Sequence, residues 1–445
     1  MLFIFECLRV ICLLFLYGYC IHALFSLVLV ARGVYKRRAF VTKSQESSGT
    51  DLFLLVQVPI YNEAPCIPGL MKSLLGLQWE ADKICIQILD DSDDETTDLI
   101  EQWLEMHPQS RPRFVHVRRG SREGFKAGAL AEGLNRCKGA ELCLILDADF
   151  WPEEDFGILL ASHLMRYPEL SMVQARWVHR NEGESWLTRT QSVAIDTHFA
   201  LEQPMRAWNG YLMNFNGTAG MWRVQAIQEV GGWSFATLTE DLELSYRAQL
   251  SGKIFDYVEE VTCSAELPQT YKALRNQQFR WAKGSLQTAK LMIPRLLREG
   301  PLNLMTRLQG VMHLFHYLTQ PILALYIYLL LYLPKPDSLV IPFIAPLFLT
   351  PFCLYIFAAY RLGKPIVPVV VTFPSLFILG LSMSIPLLRA AAEAFSQHPS
   401  DFVRTPKAGG SFIFYPSCMR DRIWQLIEVG FWMFLVLGIV GFLGF

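Results

Sequence analysis

Apolar residues in this chain fall into blocks of two textures. Leu2 to Ala31 is almost continuously apolar, long enough to cross a hydrocarbon core of about 30 Å once. No Lys/Arg-led segment precedes it and the run is too long for a signal peptide, so residues 1–31 are expected to be a membrane anchor. From Asp51 to about residue 265 short apolar runs alternate with helix-like periodicity. Phe53–Val58, Ile84–Leu89, Phe114–Val117 and Leu142–Leu146 predict strands; Met71–Leu77 and Ala127–Leu134 predict helices. Long apolar stretches return at about 306–333, 339–360, 366–388 and 424–445, the middle ones broken by prolines such as Pro342, Pro351 and Pro374. Such breaks are tolerated where protein or a cavity satisfies the freed backbone.

Strands alternating with helices, several ending in acidic loops, predict an α/β cytosolic domain with a mostly parallel sheet, joined to an α-helical transmembrane region. Ligands bind such sheets at the carboxyl ends of the strands. The expected organisation is an anchor (1–31), the cytosolic domain (32–285), and an amphipathic interface helix (286–305). Transmembrane or re-entrant helices (306–400), a cytosolic segment (401–423) and a last transmembrane helix (424–445) follow.

Composition agrees with a domain joined to several membrane spans: 52% of the 445 residues are hydrophobic. The net charge of −1 offers no footprint for nucleic acid. Ten cysteines without a C-x-x-C pair read as reduced thiols rather than a disulfide framework or zinc site. Arg32, Lys36, Arg37, Arg38 and Lys43 follow the anchor, so the positive-inside rule puts the domain in the cytosol. If Arg404–Lys407 is cytosolic too, an even number of crossings must separate it from the domain, yet three apolar stretches intervene. Basic residues flank 366–388 on both sides, so that stretch is expected to be re-entrant.

Three acidic positions carry candidate chemistry. Asp147-x-Asp149 closes a strand, where carboxylates can hold Mg²⁺ or Mn²⁺ against a diphosphate. Asp90 and Asp91 end another strand and can contact a base or ribose, or cap a helix through Ser92-x-x-Glu95. Glu240-Asp241 opens a helical pattern, where free N–H groups favour ionised acids, so Asp241 is expected to stay a carboxylate able to take a proton. Arg280 can fork onto phosphate oxygens, Trp281 offers a flat face to a sugar, and Lys126 puts a cation near the phosphates.

Val56-Gln-Val-Pro-Ile-Tyr-Asn-Glu63, Gly124–Leu130, Asp147-Ala-Asp-Phe150, Val173–Trp177, Asn214–Arg223, Thr239-Glu-Asp241 and Gln277-x-x-Arg280-Trp281 occur in that order. Together they resemble the inverting family-2 glycosyltransferases of the cellulose synthase type, closest to the cellulose synthase-like A glucomannan synthases. The resemblance implies Asp90 or Asp91 at the nucleoside, Asp149 and Asp147 at the metal, and Asp241 as general base beside Glu240. It further implies Gln277 and Arg280 on the diphosphate, Trp281 under the acceptor sugar, and Asn216-Gly217-Thr218 beside it. Phe402, Arg404, Thr405 and Lys407 resemble a gating loop over the nucleotide. The implied activity is processive β-transfer from a nucleotide-diphospho-hexose, GDP-mannose first and UDP-glucose next. The alternative is addition of a single sugar to a membrane lipid. Expected partners are the donor, a growing glycan or lipid acceptor, membrane lipids and accessory export subunits. A bacterial inner membrane or an equivalent one is the expected location.

Overall fold

The structure is a computed structural model describing residues 2–40, 51–299, 302–332, 340–396 and 419–443. Phe402, Arg404, Thr405 and Lys407 lie outside the described residues. Eight strands form one sheet: β1 Leu54–Ile60, β2 Ile84–Asp90, β3 Phe114–Arg118, β4 Leu142–Ile145, β5 Phe150–Pro152, β6 Leu170–His179, β7 Gly220–Arg223 and β8 Ile254–Ala265. They lie in the order β3-β2-β1-β4-β7-β6-β8-β5. The first four are parallel, as the near-continuous Ile/Val/Leu runs predict for strands covered on both faces. Beyond β4 the sheet is mixed, with β7 antiparallel to β4 and β6, β8 parallel to β6, and β5 antiparallel to β8.

Register decides where the chemistry gathers. Ile60 pairs with Asp90 and Gln57 with Ile145, so β1, β2 and β4 release Tyr61, Asp91 and Asp147 at one edge. Because β7 runs the other way, Gly220 pairs with Ile145 and the residues just before it, Asn216–Ala219, arrive at that same edge. Helices fill both faces. Val56, Val58, Ile86 and Leu144 pack with Leu70, Met71 and Leu160 on one side. Leu55, Cys143 and Ile145 pack with Leu130, Trp222 and Leu244 on the other.

The helix Tyr271–Arg298 is unbroken for 28 residues, roughly 42 Å at 1.5 Å per residue, with Pro294 inside it. The boundary expected at 285/286 therefore falls within one element. Of its later apolar residues, Ala289, Met292 and Leu296 pack on Leu212, Leu242, Tyr246 and Leu314, while Leu291 and Leu297 are exposed. Nearer its start, Lys283, fully buried, donates to Glu393 Oε2 at 3.0 Å, and Arg389 donates to Glu393 Oε1 at 2.8 Å. The Lys283 bond straps the helix Ser384–Phe395 to it, and the Arg389 bond within that helix holds Glu393 in place.

Four described helices are long and apolar enough to cross a membrane, by length and composition: Phe3–Val34, Leu304–Tyr332, Ile344–Arg361 and Ile366–Phe395, the last broken near Met383. Three of them are tied at one end to the α/β domain by charge. Arg37 pairs with Glu259 and Glu260 (2.7 Å each), Arg38 with Glu169 (3.0 Å) and Arg361 with Glu259. Lys364 donates to Glu182 (2.8 Å) and Asp196 (2.7 Å), while Tyr271 Oη donates to Ser382 O at 3.1 Å. Both ends of the helix Ile366–Ser382 thus touch the same domain.

Candidate active site

At the carboxyl edge lies a cleft of about 1300 Å³, its open mouth included, which Asp91, Lys126, Asp147, Asp149, Asn216, Glu240, Asp241, Gln277, Arg280 and Trp281 all line. The expected site residues are brought together from segments nearly 200 residues apart in the chain.

Lys126 occupies the first turn of the helix Phe125–Arg136, whose start is set by Gly124 in the left-handed region (φ 69°). Its Nζ donates to Asp147 Oδ1 at 2.5 Å and to Gly217 O at 3.0 Å, with Glu240 Oε1 at 4.0 Å. Glu240 and Asp241 are the first two residues of the helix Glu240–Leu250. Asp241 Oδ1 accepts from the N–H of Leu242 at 2.8 Å, and Ser245 Oγ donates to Asp241 O at 2.6 Å. Gly217 stands against this carboxylate at φ 80°, where a side chain is disfavoured and a Cβ would lie 2.7 Å from Asp241 Oδ2.

Electrostatics revise one expectation. Burial pushes the Asp241 carboxyl up to about 7, and the Glu240 and Asp147 carboxylates push the same way against Lys126. A helix N-terminus alone favours the carboxylate, but desolvation and two like charges outweigh it. Glu240 is also raised, chiefly by burial. Burial would lower the Lys126 ammonium, yet the carboxylates of Asp147 and Glu240 hold it above its usual range. Burial lowers Arg280, although four carboxylates face it: Glu240, Asp147, Asp241 and Asp149.

At the other end of the cleft, Arg119 forks onto Asp91, with Nε donating to Oδ1 at 2.8 Å and Nη2 pairing with Oδ2. The Arg122 guanidinium lies 3.3 Å from the Tyr61 ring centroid. Asp90 is a correction. Its side chain points inward, fully buried, accepting from Ser92 N (2.8 Å) and Thr97 Oγ1 (2.7 Å) and lying 3.0 Å from His116 Nε2. Burial opposes its charge, but these hydrogen bonds hold it down to about 2. Asp90 therefore organises the loop and only Asp91 faces the cleft. Nor does Ser92 cap the next helix, because its Oγ accepts from Asn62 N at 2.9 Å instead.

Gly217 and Thr218 are likewise structural. Thr218 is buried and its Oγ1 accepts the N–H of Asp147 at 2.9 Å, so of the three residues expected beside the acceptor only Asn216 lines the cleft. Tyr61, Arg119, Trp177 and His179 were assigned no role from sequence. Arg119 directly follows β3 and borders the cleft through its pairing with Asp91.

The acidic donors of the cleft are all carboxylates, which suits hard divalent cations. Among the described residues no three His, Cys, Asp or Glu side chains converge as a closed cage. Asp147 and Asp149, two residues apart at a strand end, fit a cation whose remaining ligands come from substrate phosphates and water.

Comparison with known proteins agrees with this picture. The family described as Glycosyl transferase family group 2 matches residues 142–362. Glucomannan 4-beta-mannosyltransferase 2 of Arabidopsis thaliana is 40% identical over 252 residues, 55% of this chain and 47% of the relative. Glucomannan 4-beta-mannosyltransferase 1 of Cyamopsis tetragonoloba is 35% identical over 302 residues, 66% of this chain and 57% of the relative. The chain thus spans about half the length of the curated relatives it matches. A mannosyltransferase from Pyrobaculum calidifontis, solved in complex with GDP-Man and Mn²⁺, shares the fold with a TM-score of 0.55. That likeness comes at 18% identity and covers 88% of this chain and 100% of the other. Residues 142–362 thus match the glycosyl transferase family group 2 model, and the α/β domain has a GT-A-like fold.

Proposed function

We propose that the protein is a membrane-integral, inverting hexosyltransferase that extends a β-linked glycan from a nucleotide-diphospho-hexose. GDP-mannose is the first choice of donor and UDP-glucose the second. The observation that carries this is the convergence of Asp241, Asp147, Lys126 and Arg280 on one cleft, beside Gly217, where a side chain would collide with Asp241. The names of the similar mannosyltransferases support the choice of sugar.

The chemistry follows from the residues. An acceptor hydroxyl gives its proton to Asp241 while its oxygen forms a bond to the anomeric carbon. The bond from that carbon to the diphosphate oxygen breaks, and the nucleoside diphosphate leaves with its electron pair. Displacement on an α-linked donor yields a β-linkage. A base with a pKa near neutrality is matched to this task. Arg280, Lys126 and Gln277 face the departing diphosphate, and their charge and donors stabilise what develops there. Asp147 and Asp149 would hold Mg²⁺ or Mn²⁺, which when bound neutralises phosphate charge. Asp91 would contact the nucleoside, and Trp281 would stack beneath the acceptor ring. The helix Ile366–Ser382 would dip into and leave one face of the bilayer, since both its ends touch the α/β domain.

The test is a product assay. Purified full-length protein in lipid is offered a panel of radiolabelled nucleotide sugars, and the product is sized and digested with linkage-specific hydrolases. A β-linked polymer from GDP-mannose is expected. A single sugar partitioning into lipid extract would instead make the protein a lipid glycosyltransferase.

A further inference from the structure

Behind the wall of the cleft stands a polar network that none of these steps uses. The helix Trp186–Thr197 widens at its end into a π-helical turn, His198–Glu202, and continues as Gln203–Ala207. Pro204 accounts for the widening, because it has no N–H to give and its ring would collide with the carbonyl four residues back. The N–H of Gln203 bonds to His198 O instead. Single π-turns of this kind concentrate at functional sites.

The turn carries His198 and Glu202 towards Asn216. His198 Nδ1 lies 3.1 Å from Glu202 Oε2, and Arg206 Nη1 donates to the same oxygen at 3.1 Å. On its other side His198 Nε2 lies 3.4 Å from Asn216 Nδ2. The Asn216 oxygen accepts from Gln203 Nε2 at 3.1 Å and from Asn214 Nδ2, and its backbone N–H donates to Gln174 Oε1 at 3.0 Å.

Hydrogen-bond logic then orients the amide. An amide nitrogen only donates, so His198 Nε2 accepts and Nδ1 carries the hydrogen that goes to Glu202. With both lone pairs of its oxygen and one N–H engaged, Asn216 keeps one N–H for the cleft it lines. Asn216 directly precedes Gly217, on which a Cβ would lie 2.7 Å from Asp241 Oδ2. Beside it, the buried oxygens Gln203 Oε1 and Asn214 Oδ1 meet no donor among the described residues, as expected where a hydroxylated occupant or water belongs.

We infer that His198 and Glu202, supported by Arg206 and Gln203, are positioning residues. They hold the Asn216 amide so that its free N–H binds a hydroxyl oxygen of the acceptor sugar next to Asp241. This assignment rests on the hexosyl transfer proposed above. His198 does not touch the reacting atoms; it sets which way the amide points.

The test separates acceptor from donor. Full-length protein in lipid is assayed with a short β-linked oligosaccharide, and acceptor KM, donor KM and kcat are measured for wild type, His198→Phe and His198→Gln. One hydrogen bond of about 1–1.5 kcal/mol predicts a rise in acceptor KM of roughly tenfold for His198→Phe, with donor KM little changed. His198→Gln, whose amide oxygen can accept from Asn216, should recover most of it. Should His198→Phe fail to fold, Glu202→Leu must raise acceptor KM more than Glu202→Gln does. Equal rises in both KM values, no rise, or no recovery in His198→Gln would overturn the assignment. An active wild type with those results leaves the transfer function standing. A wild type that transfers no hexose from any donor removes both.

Discussion

Gly217 and Asp241 meet so closely that a single added carbon on Gly217 would sit 2.7 Å from Asp241 Oδ2. The contact joins the loop before β7 to the first turn of the helix Glu240–Leu250. Gly217→Ala should therefore damage the site twice. The left-handed backbone alone costs an alanine about 1–2 kcal/mol, and the methyl group must displace the carboxylate. Chemical denaturation should show the loss of stability, and turnover should fall further than that loss explains. An alanine variant with wild-type turnover would place the base elsewhere.

Asp241→Asn keeps the shape of the site and removes the proton acceptor. Transfer should fall about 10²–10⁴-fold while donor affinity changes little. Glu240→Gln should be milder. For the wild type, kcat/KM should climb with pH through about 7, because only the deprotonated carboxyl accepts the proton. If Glu240→Gln is dead and Asp241→Asn active, the base is the other member of the pair.

The same carboxyl should cost stability. Its folded-state pKa of about 7 lies above the ordinary 3.8, so between these values the folded state binds more protons than the unfolded state. Stability from this group is full below about 3.8 and declines as pH rises towards 7. Asp241→Asn should then raise Tm relative to wild type above neutrality, with the gap closing in acid. Thermal melts across pH measure it, and a gap that widens in acid would contradict the burial described above.

Chelation should stop transfer, and Mn²⁺ or Mg²⁺ should restore it. Asp149→Ala should weaken donor binding with metal present and hardly at all without it. Titration of the nucleotide sugar in both conditions separates these outcomes, and full activity in excess chelator would remove the Asp147/Asp149 metal role.

Trp281 shares one helix with Gln277 and Arg280 and lines the same cleft. Trp281→Ala should reduce polymer yield much more than hydrolysis of the nucleotide sugar, since a flat ring serves the acceptor. Equal losses in both would move Trp281 to the donor side.

The parallel half of the sheet was legible because its signal is local. Leu142–Leu146 followed by Asp147-Ala-Asp149 states a buried strand and its acidic tip within eight contiguous residues. The antiparallel β7 was not legible: Gly220–Arg223 is four residues long, and only its partners β4 and β6 make it a strand. The amphipathic interface helix expected at 286–305 carries the apolar spacing of a membrane-surface helix. What its apolar side touches was decided by the α/β domain, through Leu242 and Tyr246.

What the sequence by itself determined is the set of acid-tipped strands, the order of the motifs, and the apolar lengths able to span a bilayer. Each follows from residues adjacent in the chain or from summed hydrophobicity. Tertiary structure alone decided which acid of a pair faces the cleft. Asp90 and Asp91 are neighbours, but strand alternation turns one into a hydrogen-bonded core and the other to the cleft. It also decided the proton affinity of Asp241, since burial and the fields of Glu240, Asp147 and Lys126 act through space. The approach of Gly217 to Asp241 exists only because the loop before β7 and the start of the helix Glu240–Leu250 close on the same edge of the sheet.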